Sequence, residues 1–334
     1  MFRGSRAGRS VASIAVFAAC AVGALWVGVA SAAAPGIDPG YGEGGILRTQ
    51  SQVPAGYKDT GSFGTPLAGT NGSVLYVSPL STCTNYYESG CVHPGSARRF
   101  TPAGSLDGTY GEGGVLNLGS PDRSPFPGAA TDSRGRLFVA EADEGTVSVR
   151  RFTARGKPDD QFGVGGRARL SGFAEKGIDS VTVLVAPEER IVIAVAESVE
   201  TEYAHAADRV TLTRLLPDGS VDPSYGTKGT AVVGVPSSFG VHAYESPKGA
   251  TLLVGHNCCS ANDFTPVQRV SPAGKVDVHF NAQERRSQVK ALAGLAEPEV
   301  TAVIPRADGT VELFGSSRSG SDPGGSAEAT PSLP

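Results

Sequence analysis

The sequence predicts an all-β protein, a β-propeller of about five four-stranded blades, on three observations. One motif recurs four times in a single register. A turn followed by a short apolar strand recurs five times between those motifs. Helical periodicity is scarce, whereas Gly 45 and Pro 23 punctuate short runs of Val, Leu, Ile and Phe.

The motif starts on an arginine. Arg99-Phe100 is followed by Gly104, Asp107 and Tyr110-Gly111, and Arg151-Phe152 by Gly156, Asp159 and Phe162-Gly163. Arg214-Leu215 leads to Gly219, Asp222 and Tyr225-Gly226, and Arg269-Val270 to Gly274, Asp277 and Phe280-Asn281. A partial fifth copy stands at Asp38, Tyr41 and Gly42, and glycine pairs follow at Gly44-Gly45, Gly113-Gly114 and Gly165-Gly166. The turn-plus-strand signal reads Asn71-Gly72, Arg134-Gly135, Glu188-Glu189, Lys248-Gly249 and Asp308-Gly309, each before an apolar run. Asn-Gly and Asp-Gly suit two-residue hairpins because both central positions take positive φ. Each unit of ~60 residues therefore reads as four strands: one after the glycine pair, two in the hairpin and one carrying the arginine. No arginine strand follows Phe314, so one strand is unaccounted for at the closing blade, with Gly45-Ile46-Leu47 as its candidate.

The run Arg214-Leu215-Leu216-Pro217-Asp218-Gly219-Ser220-Val221-Asp222-Pro223-Ser224-Tyr225-Gly226 resembles the bacterial delta-60 repeat, R-L-x-x-D-G-x-x-D-x-x-F-G-x-G-G. The resemblance spans roughly residues 36 to 315, and its fourth copy departs where Asn281-Ala282-Gln283-Glu284 replaces the glycine-rich end. It implies a propeller-like, extracellular protein, and it implies no activity and no catalytic residues.

The first 34 residues read as a secretory signal peptide: Arg3, Arg6 and Arg9, an uncharged run from Val11 to Val29, then small residues before Pro35. Residues 35–315 form the propeller domain, and the Ser-, Gly- and Pro-rich residues 316–334 are expected to be disordered. No second apolar stretch is long enough to cross a bilayer, so the mature chain is expected outside the cytoplasm, with a place in the cell envelope as an alternative. Without the leader the formal charge is near −7, which disfavours nucleic acid and anionic membranes. A monomer with an unknown protein or carbohydrate ligand is the expectation.

The repeated arginines, Arg99, Arg151, Arg214 and Arg269, share strand faces with apolar residues and need partners; Asp107, Asp159, Asp222 and Asp277 are the natural ones. A pair that recurs in every unit is architectural, because an active site is needed once. The recurring Tyr or Phe reads as packing between blades. Cys83, Cys91, Cys258 and Cys259 are candidates for disulfides, either Cys83 with Cys91 or both crosswise with the vicinal pair. The loops before the arginine strands vary in length and hold Tyr86, Tyr87, His93, Tyr203, His205 and His256, which together mark a candidate ligand face. No G-x-S-x-G, H-E-x-x-H, P-loop or EF-hand loop occurs, and no cofactor or metal is expected. A non-catalytic binding or scaffold module is the leading reading. A propeller enzyme of lactonase or lyase type and an envelope structural protein are the alternatives.

Overall fold

The computed structural model describes residues 40–42, 58–59, 64–79, 82–83, 95–119, 128–143, 145–173, 177–201, 204–235, 241–255, 267–280, 298–305, 311–317 and 332–333. Contacts divide the chain into two units, Met1–Thr49 and Gln50–Pro334. In the first, the described residues Gly40 to Gly42 form a turn; the second holds every strand named below.

The chain is an all-β protein of β-propeller architecture, built from successive antiparallel sheets. Sheet A contains β2 (Thr65–Ala68), β3 (Val74–Pro79), β5 (Gly95–Phe100) and β6 (Val115–Gly119); the short β1 (Lys58–Asp59) pairs separately with β4 (Thr82–Cys83). Sheet B contains β7 (Gly128–Thr131), β8 (Leu137–Asp143), β9 (Thr146–Phe152) and β10 (Arg167–Ser171). Sheet C contains β11 (Ile178–Val185), β12 (Ile191–Thr201), β13 (Ala204–Leu215) and β14 (Thr230–Val233). Sheet D has β15 (Val241–Glu245), β16 (Thr251–Gly255) and β17 (Val267–Val270). Sheet E has β18 (Pro298–Pro305), β19 (Val311–Ser317) and β20 (Ser332–Leu333). The first strands of successive sheets lie side by side: the Thr131 hydroxyl donates to the Ala68 carbonyl at 2.6 Å, and the Ser180 hydroxyl to the Val241 carbonyl at 3.1 Å.

The sheet boundary differs from the sequence expectation. The strand after the glycine pair closes the sheet it has just left: β6 pairs with β5 and β10 with β9. The reason is local. The segment Gly111–Gly114 is a tight reversal in which the Gly114 amide donates to the Tyr110 carbonyl and the Glu112 amide to the Val115 carbonyl, both at 2.8 Å. The returning strand therefore runs back along the arginine strand. The hairpin turns also split into two kinds. Asn71-Gly72 (φ 54° and 75°) and Glu188-Glu189 (φ 60° and 59°) take positive φ at both residues. At Arg134-Gly135 and Lys248-Gly249 only the glycine does (φ 74° and 79°), closing a three-residue loop with a glycine bulge. In the tail expected to be disordered, Ser332 and Leu333 pair with Glu312 and Val311, beside β19 where other sheets carry the arginine strand. The segment Gly45-Ile46-Leu47 lies outside the described residues.

Sheet B packs both faces. On β8, Leu137 and Val139 join a cluster with Leu75, Val77, Ala97 and Tyr110 of sheet A. The alternate residues Phe138 and Ala140 join Phe162, Val181, Ile191 and Ile193 toward sheet C. All four β8 residues are at most 1% exposed, which is why this strand reads as a continuous apolar run. Each large apolar side chain so buried contributes roughly 1.5–3 kcal/mol. The reversal in sheet C carries Lys228 at φ 53°, where sheets A and B have Gly113 and Gly165 at φ 59° and 60°. A left-handed conformation costs a non-glycine residue roughly 1–2 kcal/mol, so Lys228→Gly is expected to raise stability by about 1 kcal/mol, read as a higher urea midpoint at unchanged m-value.

Candidate functional site

The repeated Arg–Asp–aromatic motif assembles into a clasp between consecutive sheets. In sheet B, Arg151 Nε donates to Asp159 Oδ2 at 2.8 Å, and the guanidinium lies 4.8 Å over the Phe162 ring. Its Nη1 donates to the Pro217 carbonyl in the next unit's turn, and the Gly163 amide takes the following carbonyl, Asp218, at 2.7 Å. The same set joins sheet A to B (Arg99, Asp107, Tyr110, and the Ala154 and Arg155 carbonyls) and C to D (Arg214, Asp222, Tyr225, and the Pro272 and Ala273 carbonyls). In sheet D, Arg269 Nε and Nη2 both donate to Asp277 Oδ2, and the guanidinium sits 4.4 Å over Phe280.

The carboxylates of Asp107, Asp222 and Asp277 are held in their ionised form. At Asp107, hydrogen bonds from the Thr109 hydroxyl and amide, joined by the Arg99 charge, hold the carboxyl below its ordinary value. At Asp222 burial works the other way, but hydrogen bonds from Ser224 and the Arg214 charge outweigh it. Each clasp arginine and aspartate is thus occupied by its neighbours, and the same bonding repeats at three joins. The geometry is that of a structural staple, and it offers no free nucleophile, acid or base.

The other end of each sheet is where loops connect the second strand to the third. Tyr86, Tyr87, His93, Cys91, Tyr203, His256, Cys258 and Cys259 lie outside the described residues. Cys83 sits in β4, in register with Lys58 of β1. His205 sits in β13, in register with Glu200 of β12.

That register reveals a feature the sequence does not announce. The pairing of β11 with β12 ends at Ile178 and Glu197, and that of β14 with β13 at Val233 and Val210. Among the described residues, the hairpin β12–β13 continues without a third strand through four more pairs, Ser198 with Ala207 to Thr201 with Ala204. It forms a two-stranded arm about 14 Å long. In sequence, Glu202 and Tyr203 are the two residues that connect its strands. At its base a bulge leaves Asp208 unpaired between Glu197 and Ser198. The Glu197 side chain is 2% exposed; Arg209 grips it with Nη2 to Oε1 at 2.7 Å and Nε to Oε2 at 3.1 Å, and the Thr211 hydroxyl adds a bond at 3.3 Å. This chelate keeps Arg209 charged above its ordinary range and pins the arm's exit direction. The length of the run from Ile191 to Leu215, with one bulge, was the only sequence signal for it.

Two further polar residues, Asp179 on β11 and His242 on β15, are exposed on the adjoining first strands of sheets C and D. The alternation in Val241-His242-Ala243 signals an outward histidine in retrospect. Among the described residues, no group of three His, Cys, Asp or Glu could hold a metal ion, and no helix is long and apolar enough to cross a membrane.

No family model matches the chain, and no curated protein matches it. Among solved structures it is similar to a K499G mutant of NanB sialidase from Streptococcus pneumoniae, at 10% identity and TM-score 0.43, over 68% of this chain and 33% of that one. The chain thus spans about a third of the sialidase's length. It is also similar to the PQQ-bound aldose sugar dehydrogenase from Streptomyces coelicolor, at 13% identity and TM-score 0.41, over 83% and 84% of the two chains. A third likeness is to the β-propeller domain of the Trilobed protease from Pyrococcus furiosus, described as having an open velcro topology, at 10% identity and TM-score 0.33, over 76% and 79%.

Proposed function

We propose that the chain is an exported delta-60-type propeller that works as a non-catalytic binding module, with its ligand surface at the loop end of the sheets. The observation that carries this reading is the β12–β13 arm, which leaves sheet C on a bulge anchored by buried Glu197. Beyond Glu197, the pairs Ser198 with Ala207 to Thr201 with Ala204 have no counterpart in the pairing of β11 or β14 among the described residues. Tyr203, in the connection between its strands, is an amphipathic residue of the kind enriched at interfaces. The clasp end, by contrast, is fully engaged in holding the sheets together.

The test is binding of the purified mature protein to washed envelope fractions of the producing cell. Replacing Ser198–Ala207 by an Asn-Gly turn is expected to weaken binding at least about tenfold, or ~1.4 kcal/mol. A Val164→Glu change at the opposite end, where Val164 is 89% exposed, leaves binding unchanged. Equal binding by the intact and the arm-shortened protein would reject the reading.

A further inference from the structure

We propose that the join between sheets C and D is a pH-governed seam, locked when Glu245 is a neutral acid and loosened when it ionises, while the joins before it do not respond.

The comparison among joins carries the argument. The residue pair that closes the first hairpin lies at each join in the same register. It is Thr131 with Leu137 in sheet B, Val185 with Ile191 in sheet C, and Glu245 with Thr251 in sheet D. In sheet B, Leu137 is fully buried in the cluster of Tyr110, and the Thr131 hydroxyl is bonded to Ala68. In sheet C, Ile191 is buried with Phe162. At sheet D the pair is polar: Thr251 is 1% exposed, and both Glu245 carboxyl oxygens are shielded from solvent without a hydrogen-bond donor. The hydroxyl of Tyr225, the clasp aromatic of this join, faces Thr251 and is likewise shielded from solvent. A closure free of charged groups at two joins is thus replaced at the third by a carboxyl group that, among the described residues, no ion pair neutralises.

The groups around it supply little compensation. From sheet C, the Arg214 charge reaches it, but that guanidinium is committed to Asp222, the Pro272 carbonyl and the Tyr225 ring. Asp222 is in turn shared with Arg190 at 3.3 Å. The titratable residue of β11 is Asp179, β16 has none, and Glu299 is that of β18, which borders β15. On its own strand and turn stand His242, Tyr244 and Lys248. Burial pushes the Glu245 carboxyl up to about 8, against the weaker pull of Arg214.

The sign follows. The value in the closed seam lies above the ordinary 4.5 of a hydrated glutamate. The acid form therefore favours closure, and its contribution is fully present below pH 4.5 and lost as pH rises to about 8. Across that window each pH unit shifts the opening equilibrium by up to about tenfold. Asp107, Asp222 and Asp277 titrate below their ordinary 3.8, outside this window. Opening exposes Tyr225 and Leu253 of one apolar cluster while the clusters between sheets A, B and C stay closed.

Hydrogen exchange of the intact mature protein, corrected for the intrinsic pH dependence of amides, tests this. Between pH 5 and pH 8 the opening constant of peptides covering 241–255 is expected to rise at least about 100-fold, while those covering 137–152 stay within about threefold. Glu245→Gln is expected to abolish the rise. Glu245→Thr, the residue sheet B has at this place, should do the same and stands in should the glutamine variant fold poorly. An undiminished rise in either folded variant, or an equal rise in both peptide sets of the native protein, overturns the proposal.

Discussion

Arg151→Ala is expected to destabilise the protein by about 3–5 kcal/mol, the range for breaking a buried pair by removing one partner. Arg151 is 2% exposed and Asp159 9% exposed, so the change strands a carboxylate away from water. It also removes the donor to the Pro217 carbonyl and the cation over Phe162. The same change at Arg269 is a control from the same motif. There the paired side chains keep about a quarter of their exposure, 29% and 25%, and the expected loss is about 1 kcal/mol or less. Urea unfolding at pH 7 measures both. A double substitution, Arg151→Leu with Asp159→Leu, is expected to lose less than the sum of the two single changes, because no charge is left buried alone. Equal losses at Arg151 and Arg269 would show that burial of the clasp is not what gives it strength.

Gly163→Ala is expected to cost at least about 3 kcal/mol and to leave much of the protein unfolded at 37 °C. Gly163 stands at φ 57°, and an added Cβ would lie 2.0 Å from the Arg167 carbonyl oxygen, a backbone atom that cannot yield without moving β10. The same residue donates the amide that holds the Asp218 carbonyl, so displacement of the reversal also loosens the join to sheet C. Two residues on, Gly165 has φ 60° but open space around its Cβ position. Gly165→Ala is therefore expected to cost only the left-handed penalty, about 1 kcal/mol. Thermal melts of the two variants separate clash from backbone strain; similar losses would mean that the backbone at Arg167 gives way to the added methyl group. Lys228→Gly, at the counterpart of Gly165 in sheet C, is expected to give the opposite sign, a gain, because it relieves the same left-handed penalty.

The fold class and its period were legible because the repeat constrains many residues in the same way. Four arginines with an aspartate eight residues on can recur only where one backbone turn recurs, and that turn is seen each time, with the aspartate amide bonded to the arginine carbonyl. What each arginine does for the next unit was not legible. The Ala154, Pro217 and Pro272 carbonyls lie 55, 66 and 58 residues away, and nothing in a local pattern identifies a main-chain acceptor in another sheet. The assignment of the strand after the glycines failed for a related reason: a Gly-Gly pair marks a change of direction, and only the hydrogen bonds show which neighbour the chain then joins.

By itself, then, the sequence determined that this protein is a β-rich repeat whose charged motif belongs to its architecture, because periodicity, turn chemistry and the need to pair a charge on an apolar face act over a dozen residues or fewer. Only the tertiary structure decided where the sheets divide, that the motif clasps one sheet to the next, that an arm leaves sheet C and that the Glu245 carboxyl is shut away from water without a donor. Those outcomes depend on contacts between segments tens of residues apart, and burial is a property of the assembled sheets.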